Sequence, residues 1–302
     1  MIDLYRAIWR VSGRQQIVLI ILAVLVAALA AVPLKFQQLV VNSLVEHGDV
    51  VRLAWNCAGF IAAVLLSAGL KFVLGLRLSE LGEDVVRRIR ARLYRNHVER
   101  ARTEGNGDTG ALVTMLGAEA EAVGSFVGSA IAGPVVQLGT LLSVIGFVVA
   151  SQPWLGAVMA GVVLPQAVIV LGLQRRINVN VRSRVQSLRD ASSRISGGDP
   201  NRLDEAVLDD FRDVYETRRR IFKLKLSSKF ALGTISALGK VAILFLGGWL
   251  VLQGRTDVGT VVASFTALGR IDGPWRDLVS FFRTASTVRV KYGMLLPAIG
   301  PW

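Results

Sequence analysis

Ile17-Val18-Leu19-Ile20-Ile21-Leu22-Ala23-Val24-Leu25-Val26-Ala27-Ala28-Leu29-Ala30-Ala31-Val32-Pro33-Leu34 runs for eighteen residues without a charge. A helix needs roughly 20 such residues to cross a hydrocarbon core about 30 Å thick, so the run is a transmembrane candidate. Working outward from it, five more apolar blocks follow. They predict spans at about 17–41, 50–76, 126–150, 154–173, 230–252 and 258–282. Of the 302 residues, 52% are hydrophobic and 19% charged, with a mean hydropathy of +0.50. Soluble domains carry about 25% charge, so this balance excludes a soluble enzyme, a disordered chain and a disulfide scaffold.

Arg6, Arg10 and Arg14 precede the first run, and Ala28-Leu29-Ala30 resembles a leader cleavage site. The run continues to Leu34 and the chain then re-enters the membrane, which favours an uncleaved first span. Cys57 is the single cysteine, so neither an internal disulfide nor C-x-x-C metal spacing is available. His47 and His97 lie too far apart to suggest a local metal site. No Ser-His-Asp or Cys-His constellation and no acid/base carboxylate pair can be assembled, so no catalytic or metal-binding residue is proposed.

The net charge is +13, from 35 Lys and Arg against 22 Asp and Glu. Three basic residues precede the first span, eight lie in 77–125, fourteen in 174–229 and three from Arg283 onward; these are 28 of the 35. The positive-inside rule then places both termini and both long loops in the cytoplasm. The basic run Arg218-Arg219-Arg220 with Lys223 and Lys225 reads as a flank of the fifth span rather than a nucleic-acid site.

The long loops carry helical periodicity. Leu78, Leu81, Val85, Ile89 and Leu93 form one stripe, with Glu83–Arg87 and Asp84–Arg88 at i,i+4 on the polar side. In the second loop Val181, Val185, Leu188, Ser192 and Ile195 form one stripe, and Leu203, Val207, Phe211, Val214 and Ile221 another. Gly197-Gly198-Asp199-Pro200 separates the two, with Asp199 placed to cap and Pro200 to start a helix. Each loop thus reads as a helical hairpin extending a span, and about 20 residues of helix reach roughly 30 Å.

Six spans, short outer loops and two long helical inner loops resemble the transmembrane domain of ABC exporters, the type IV fold. Local sequence is similar along the chain: Pro33 with Val40-Val41-Asn42 and His47-Gly48-Asp49; Val86-Arg87-Arg88-Ile89-Arg90-Ala91-Arg92-Leu93-Tyr94; and Asp108-Thr109-Gly110-Ala111-Leu112. Nearest to the family pattern is Leu246-Gly247-Gly248-Trp249-Leu250-Val251-Leu252-Gln253-Gly254 followed by Val258-Gly259-Thr260-Val261-Val262-Ala263, and Pro274 falls where the last span carries a proline. Two places depart from the pattern. The first tip reads Ala101-Arg102-Thr103-Glu104-Gly105-Asn106-Gly107 instead of carrying aromatics, and Gly117-Ala118-Glu119 replaces the usual acidic position.

The resemblance implies an all-α polytopic membrane protein of six transmembrane helices, residues 1–302 forming one transmembrane domain. It implies a translocation pathway formed by a homo- or heterodimer of such domains in the plasma (inner) membrane, driven by a nucleotide-binding ATPase. Most exporters of this type continue into that ATPase domain. Here the sequence ends at Trp302, and no G-x-x-x-x-G-K-[ST] loop occurs, so ATP and Mg are expected on a separate partner ATPase and no cofactor in this chain. Ser196-Gly197-Gly198 is explained by the hairpin turn rather than as a nucleotide signature.

Arg270, Asp272, Arg276 and Asp277 gather in the sixth span, which in the family borders the pathway, and are the pathway-lining candidates; neutralised pairing or a helix–helix contact is the alternative. Lys35 and Lys71 are long enough to snorkel. Arg102, Thr103 and Glu104 at the first tip, and Gly197, Gly198, Asp199, Pro200 and Asn201 at the second, are the candidates for coupling to the ATPase. Two other readings stay open on the residues alone: an assembly or regulatory protein that kept the fold without ATPase coupling, and an ion-coupled carrier using the sixth-span charges.

Overall fold

The computed structural model describes residues 2–45, 49–104, 112–113, 115–170, 172 and 205–299. Among them every regular element is helical. Helix α1 is Ile2–Ala28 and α2 is Val32–Val45, joined by a 3-10 turn at Leu29–Ala31. Helix α3 is Val50–Glu104, α4 Ala120–Ser129, α5 Ala132–Ser151, α6 Pro153–Val170, α7 Glu205–Leu252 and α8 Val258–Ile299. A π-helical turn, Met115–Glu119, leads into α4. The second tip, with Gly197 to Asn201, and the stripe from Val181 to Ile195 lie outside the described residues.

Prolines set the breaks. Pro33 has no N–H to return to the carbonyl of Leu29, and the chain tightens there, with the N–H of Val32 donating to that oxygen in a 3-10 turn. Pro134 does the same to Ala130. The expected third span, 126–150, is therefore two helices interrupted at Ala130–Ile131. The freed Ala130 carbonyl accepts the Tyr5 hydroxyl at 3.5 Å.

Two compact units are formed. The first holds Met1–Pro153 and Gly248–Trp302. Its core joins α1, α3, α4 and α8 through Leu19, Ala23, Leu81, Val85, Ile89, Leu93, Val123, Phe126, Val127, Val288, Leu295 and Ile299. The α3 stripe is the one read from the sequence: Leu81, Val85, Ile89 and Leu93 are buried and Leu78 is partly so. On its polar side Arg88 bonds Asp84 at 2.5 Å as expected, while Arg87 also turns to Asp84, at 2.7 Å, instead of to Glu83. Two bonds and two guanidinium charges hold the Asp84 carboxyl below its ordinary range. The second unit, Trp154–Gly247, pairs α6 with α7. There the buried Gln166 donates to the Leu232 carbonyl at 3.5 Å, beneath the buried stripe of Leu155, Met159 and Val162.

Among the described residues five helices are long and apolar enough to cross a membrane: Ser12–Val45, Val50–Arg102, Ala132–Ser151, Pro153–Val170 and Glu205–Leu252. Trp55 and Phe72, 76% and 71% exposed on α3, show the apolar outer surface that lipid would cover. The expected sixth span, 258–282, is a continuous helix in α8 but is not among the five, because its apolar run stops at Arg270.

Glycines set how closely helices approach. A β-carbon at Gly128 of α4 would collide with the Leu78 carbonyl oxygen of α3, and one at Gly124 with Val86. Gly128→Ala should therefore force the pair apart, at about 1–3 kcal/mol. A detergent melting curve should move down by several degrees, whereas Gly75→Ala, with nothing within 4 Å, should not lower it. Equal melting of the two variants would remove Gly128 as the contact that sets this spacing.

Candidate functional site

A connected polar site lies where α2 meets the start of α8. The turn after α7 closes through Gly254, whose φ of +67° favours glycine, and whose N–H donates to Val251 O at 2.9 Å. Asp257 then caps α8. Its Oδ1 accepts the Thr260 N–H at 2.6 Å and its Oδ2 the Thr260 hydroxyl at 2.7 Å. From α2, Gln38 Nε2 donates to Thr260 Oγ1 at 2.6 Å and to Asp257 Oδ2 at 3.4 Å. Asn42 Oδ1 accepts the Gly259 N–H at 2.7 Å, so two first-turn N–H groups of α8 are satisfied by side chains. Nearly two turns further along α8, Gln37 Nε2 donates to Thr266 Oγ1 at 2.8 Å. A β-carbon at Gly259 would strike Asn42 and the Gln38 carbonyl, so this joint requires glycine.

Burial pushes the Asp257 carboxyl up. Hydrogen bonds from the Thr260 hydroxyl, Asn42, the Thr260 amide and Gln38 outweigh it and hold the group below the usual carboxylate range. Lys35 is exposed and donates to Gln38 Oε1 at 3.0 Å, which ties it to the same joint. These residues escaped the sequence reading. The available signal was Gln37 and Gln38 inside an apolar span with Asn42 one turn later, three polar groups at helical spacing.

The four candidate charges of α8 fall on two sides of the helix: Arg270 and Asp277, seven positions apart, share one side, and Asp272 and Arg276, four apart, share the other. The buried stripe of α8 runs through Thr260, Ser264, Ala267, Ile271, Leu278, Ala285, Val288, Tyr292, Leu295 and Ile299, and the charges lie beside it. Arg270 and Asp272 are half-buried; Arg276 and Asp277 are exposed. Arg270 and Asp272, two positions apart, project roughly 200° apart around the helix and do not face each other. Asp277 reaches α5, where its Oδ2 accepts Gln137 Nε2 at 3.1 Å. At the first tip, Arg102 is exposed and Thr103 and Glu104 close α3. Lys71 is exposed on α3. Among the described residues no group of three or more His, Cys, Asp or Glu could hold a metal ion.

Asp257 generates a pH prediction. Its folded-state value is depressed, so its contribution is present above the unfolded value, about 3.9, and is lost as pH falls through the folded one. Asp257→Ala should cost about 1–2 kcal/mol as a lost cap. Melting of wild type and Asp257→Asn, followed from pH 7 downward, should converge below about pH 4. A difference that stays constant through that range would show that ionised Asp257 does not hold the joint.

The family model of the ABC transporter transmembrane region matches residues 16–196, more than half of the chain. A "Multidrug efflux ATP-binding/permease protein" of Mycobacterium bovis is 35% identical over 78 residues, 26% of this chain and 6% of that protein. An "Uncharacterized ABC transporter ATP-binding protein" of Sinorhizobium fredii is 25% identical over 265 residues, 81% of this chain and 44% of that protein. The chain thus spans less than half the length of these relatives. With its long apolar helices and this match, the chain is a multi-pass, all-α membrane protein, and it belongs to the ABC transporter transmembrane-region family.

Proposed function

We propose that this chain forms the translocation pathway of an ATP-driven ABC-type transporter and couples to a nucleotide-binding ATPase subunit or domain outside these 302 residues. The observation that carries the reading is the family match together with α3. That helix holds 55 residues, about 80 Å at 1.5 Å per residue, far more than a bilayer requires. Its surplus ends at Arg102, Thr103 and Glu104, where a partner can push on it. In this reading both termini and both long loops are cytoplasmic, the membrane is the plasma (inner) membrane, and α8 is the sixth span. A second six-span unit, identical or homologous, completes the pathway, and the candidates to line it are Arg270 and Asp277 on one side of α8 or Asp272 and Arg276 on the other. Nucleotide and Mg belong to the ATPase. The motif whose backbone and lysine cradle ATP phosphates, G-x-x-x-x-G-K-[ST], does not occur in these 302 residues. The second tip, Gly197 to Asn201, would be a second contact for the ATPase.

Orientation is tested by impermeant thiol labelling on a Cys57→Ser background. Gly254→Cys should react in intact cells, and Arg102→Cys only after the membrane is opened. The reverse pattern would invert the topology.

Coupling is tested without knowing the cargo. Arg276→Cys is labelled in membranes of the native host with and without ATP and vanadate, which traps such ATPases in mid-cycle. The labelling rate should change several-fold, a population shift of the kind a coupled ATPase imposes. The chain purified after production in an unrelated host should hydrolyse no ATP. An unchanged rate in host membranes would favour a carrier or an assembly protein instead.

A further inference from the structure

The far end of α3 grips the end of α8. Asn96 Nδ2 donates to the carbonyls of Ala298 at 2.8 Å and Ile299 at 3.2 Å, and Arg100 Nη2 to that of Pro297 at 2.6 Å. The last four carbonyls of a helix have no partner within it and sit at the negative end of its dipole. Here two side chains from a helix some 200 positions away in sequence donate to three carbonyls of the last described turn of α8. Two further bonds to carbonyls come from cations of α3 and α8. Arg90 Nε of α3 donates to Leu116 O at 2.8 Å, and Lys291 Nζ of α8 to Ala118 O at 3.2 Å. Both oxygens belong to the π-helical turn Met115–Glu119.

Below these bonds, Ile89 and Leu93 of α3 share one buried cluster with Val288, Tyr292, Leu295 and Ile299 of α8. Apolar contact of that kind is non-directional and lets one helix slide along another. Hydrogen bonds to named carbonyls do not, because a shift of one residue, about 1.5 Å, breaks all of them.

We propose that Asn96 and Arg100 form a register lock that makes the first tip and the end of α8 move as one body, with Arg90 and Lys291 extending it to Met115–Glu119. The coupling role of the lock rests on the function proposed above; the lock itself does not. Asn96 stands six residues from Arg102, about 9 Å, and Pro297 twenty residues from Asp277, about 30 Å along α8. A displacement of the tip along the α3 axis therefore reaches the polar stretch of α8 directly. Asn96 and Arg100 are positioning residues: they touch neither nucleotide nor cargo.

The test uses the full chain with Cys57→Ser and nitroxide labels at two exposed positions, Arg102→Cys and Met294→Cys, in lipid nanodiscs. Asn96→Asp is nearly isosteric, removes the donor and sets a negative charge against the carbonyls; Arg100→Gln removes the cation. Together they should broaden the label-to-label distance distribution about two-fold, because the register is no longer held. Arg100→Lys should leave it narrow, and all variants should still insert and melt in one cooperative transition. An unbroadened distribution in the double variant overturns the lock. The second readout is the ATP-and-vanadate effect on labelling of Arg276→Cys, which the double variant should lose. If that effect persists while the distances broaden, the positioning role is wrong. If the parent protein shows no ATP effect, the proposed function fails and the distance measurement alone still decides the lock.

Discussion

A bilayer core offers no water to a backbone N–H or C=O, so each such group must find a partner inside the protein. The helices of the first unit answer to that constraint at their weak points. Pro33 and Pro134 each remove a donor, and the exposed carbonyls are those of Leu29, met by tightening of the chain, and Ala130, met by Tyr5. Gln16, fully buried in α1, donates to Val127 O at 3.0 Å, in the turn just before the break between α4 and α5. Ser143 reaches the Ala28 carbonyl at 3.4 Å, where α1 gives way to the 3-10 turn. A break in one helix thus becomes a tie to another.

The same solvent removes the usual reason for helices to associate, since lipid tails are as apolar as leucine side chains. Close approach and polar bonds have to discriminate instead. Gly124 and Gly128 bring α4 onto α3, and Gly259 brings α8 onto α2. Only the last contact also carries a capped, hydrogen-bonded network, through Gln38, Asn42 and Asp257. Packing without directionality would tolerate a slipped α8; the Asn42–Gly259 and Gln38–Thr260 bonds accept one register.

Much of the architecture was legible because it rests on local periodicity. The stripe from Leu81 to Leu93 follows from spacing alone, and the apolar runs follow from composition. What escaped depends on partners distant in sequence. Gln38 and Thr260 are 222 residues apart, Asn96 and Ala298 are 202, and no spacing rule joins them. Pro134 was visible, yet whether a proline bends a helix or ends it depends on whether a neighbour such as Tyr5 is there to take the freed carbonyl. The α8 charges were legible as a group on one segment, and their separation around the helix follows from spacing, but the reach of Asp277 to Gln137 depends on how α8 lies against α5.

Helix α3 shows how these facts bear on function. Its first half exposes Trp55 and Phe72, and its second half buries Ile89 and Leu93 under a polar, arginine-rich surface, yet it does not break between the two. A helix that stopped at the membrane surface would leave its outer part free to pivot on a loop. An unbroken helix of 55 residues would instead carry a displacement of its end along its whole axis. Toward that end Asn96 and Arg100 donate to carbonyls of α8, and Arg90 to the turn before α4. Rigidity along the helix and fixed register between helices are two separate requirements for transmitting motion. The first comes from an uninterrupted ladder of backbone bonds, and the second from a few donors aimed at particular carbonyls.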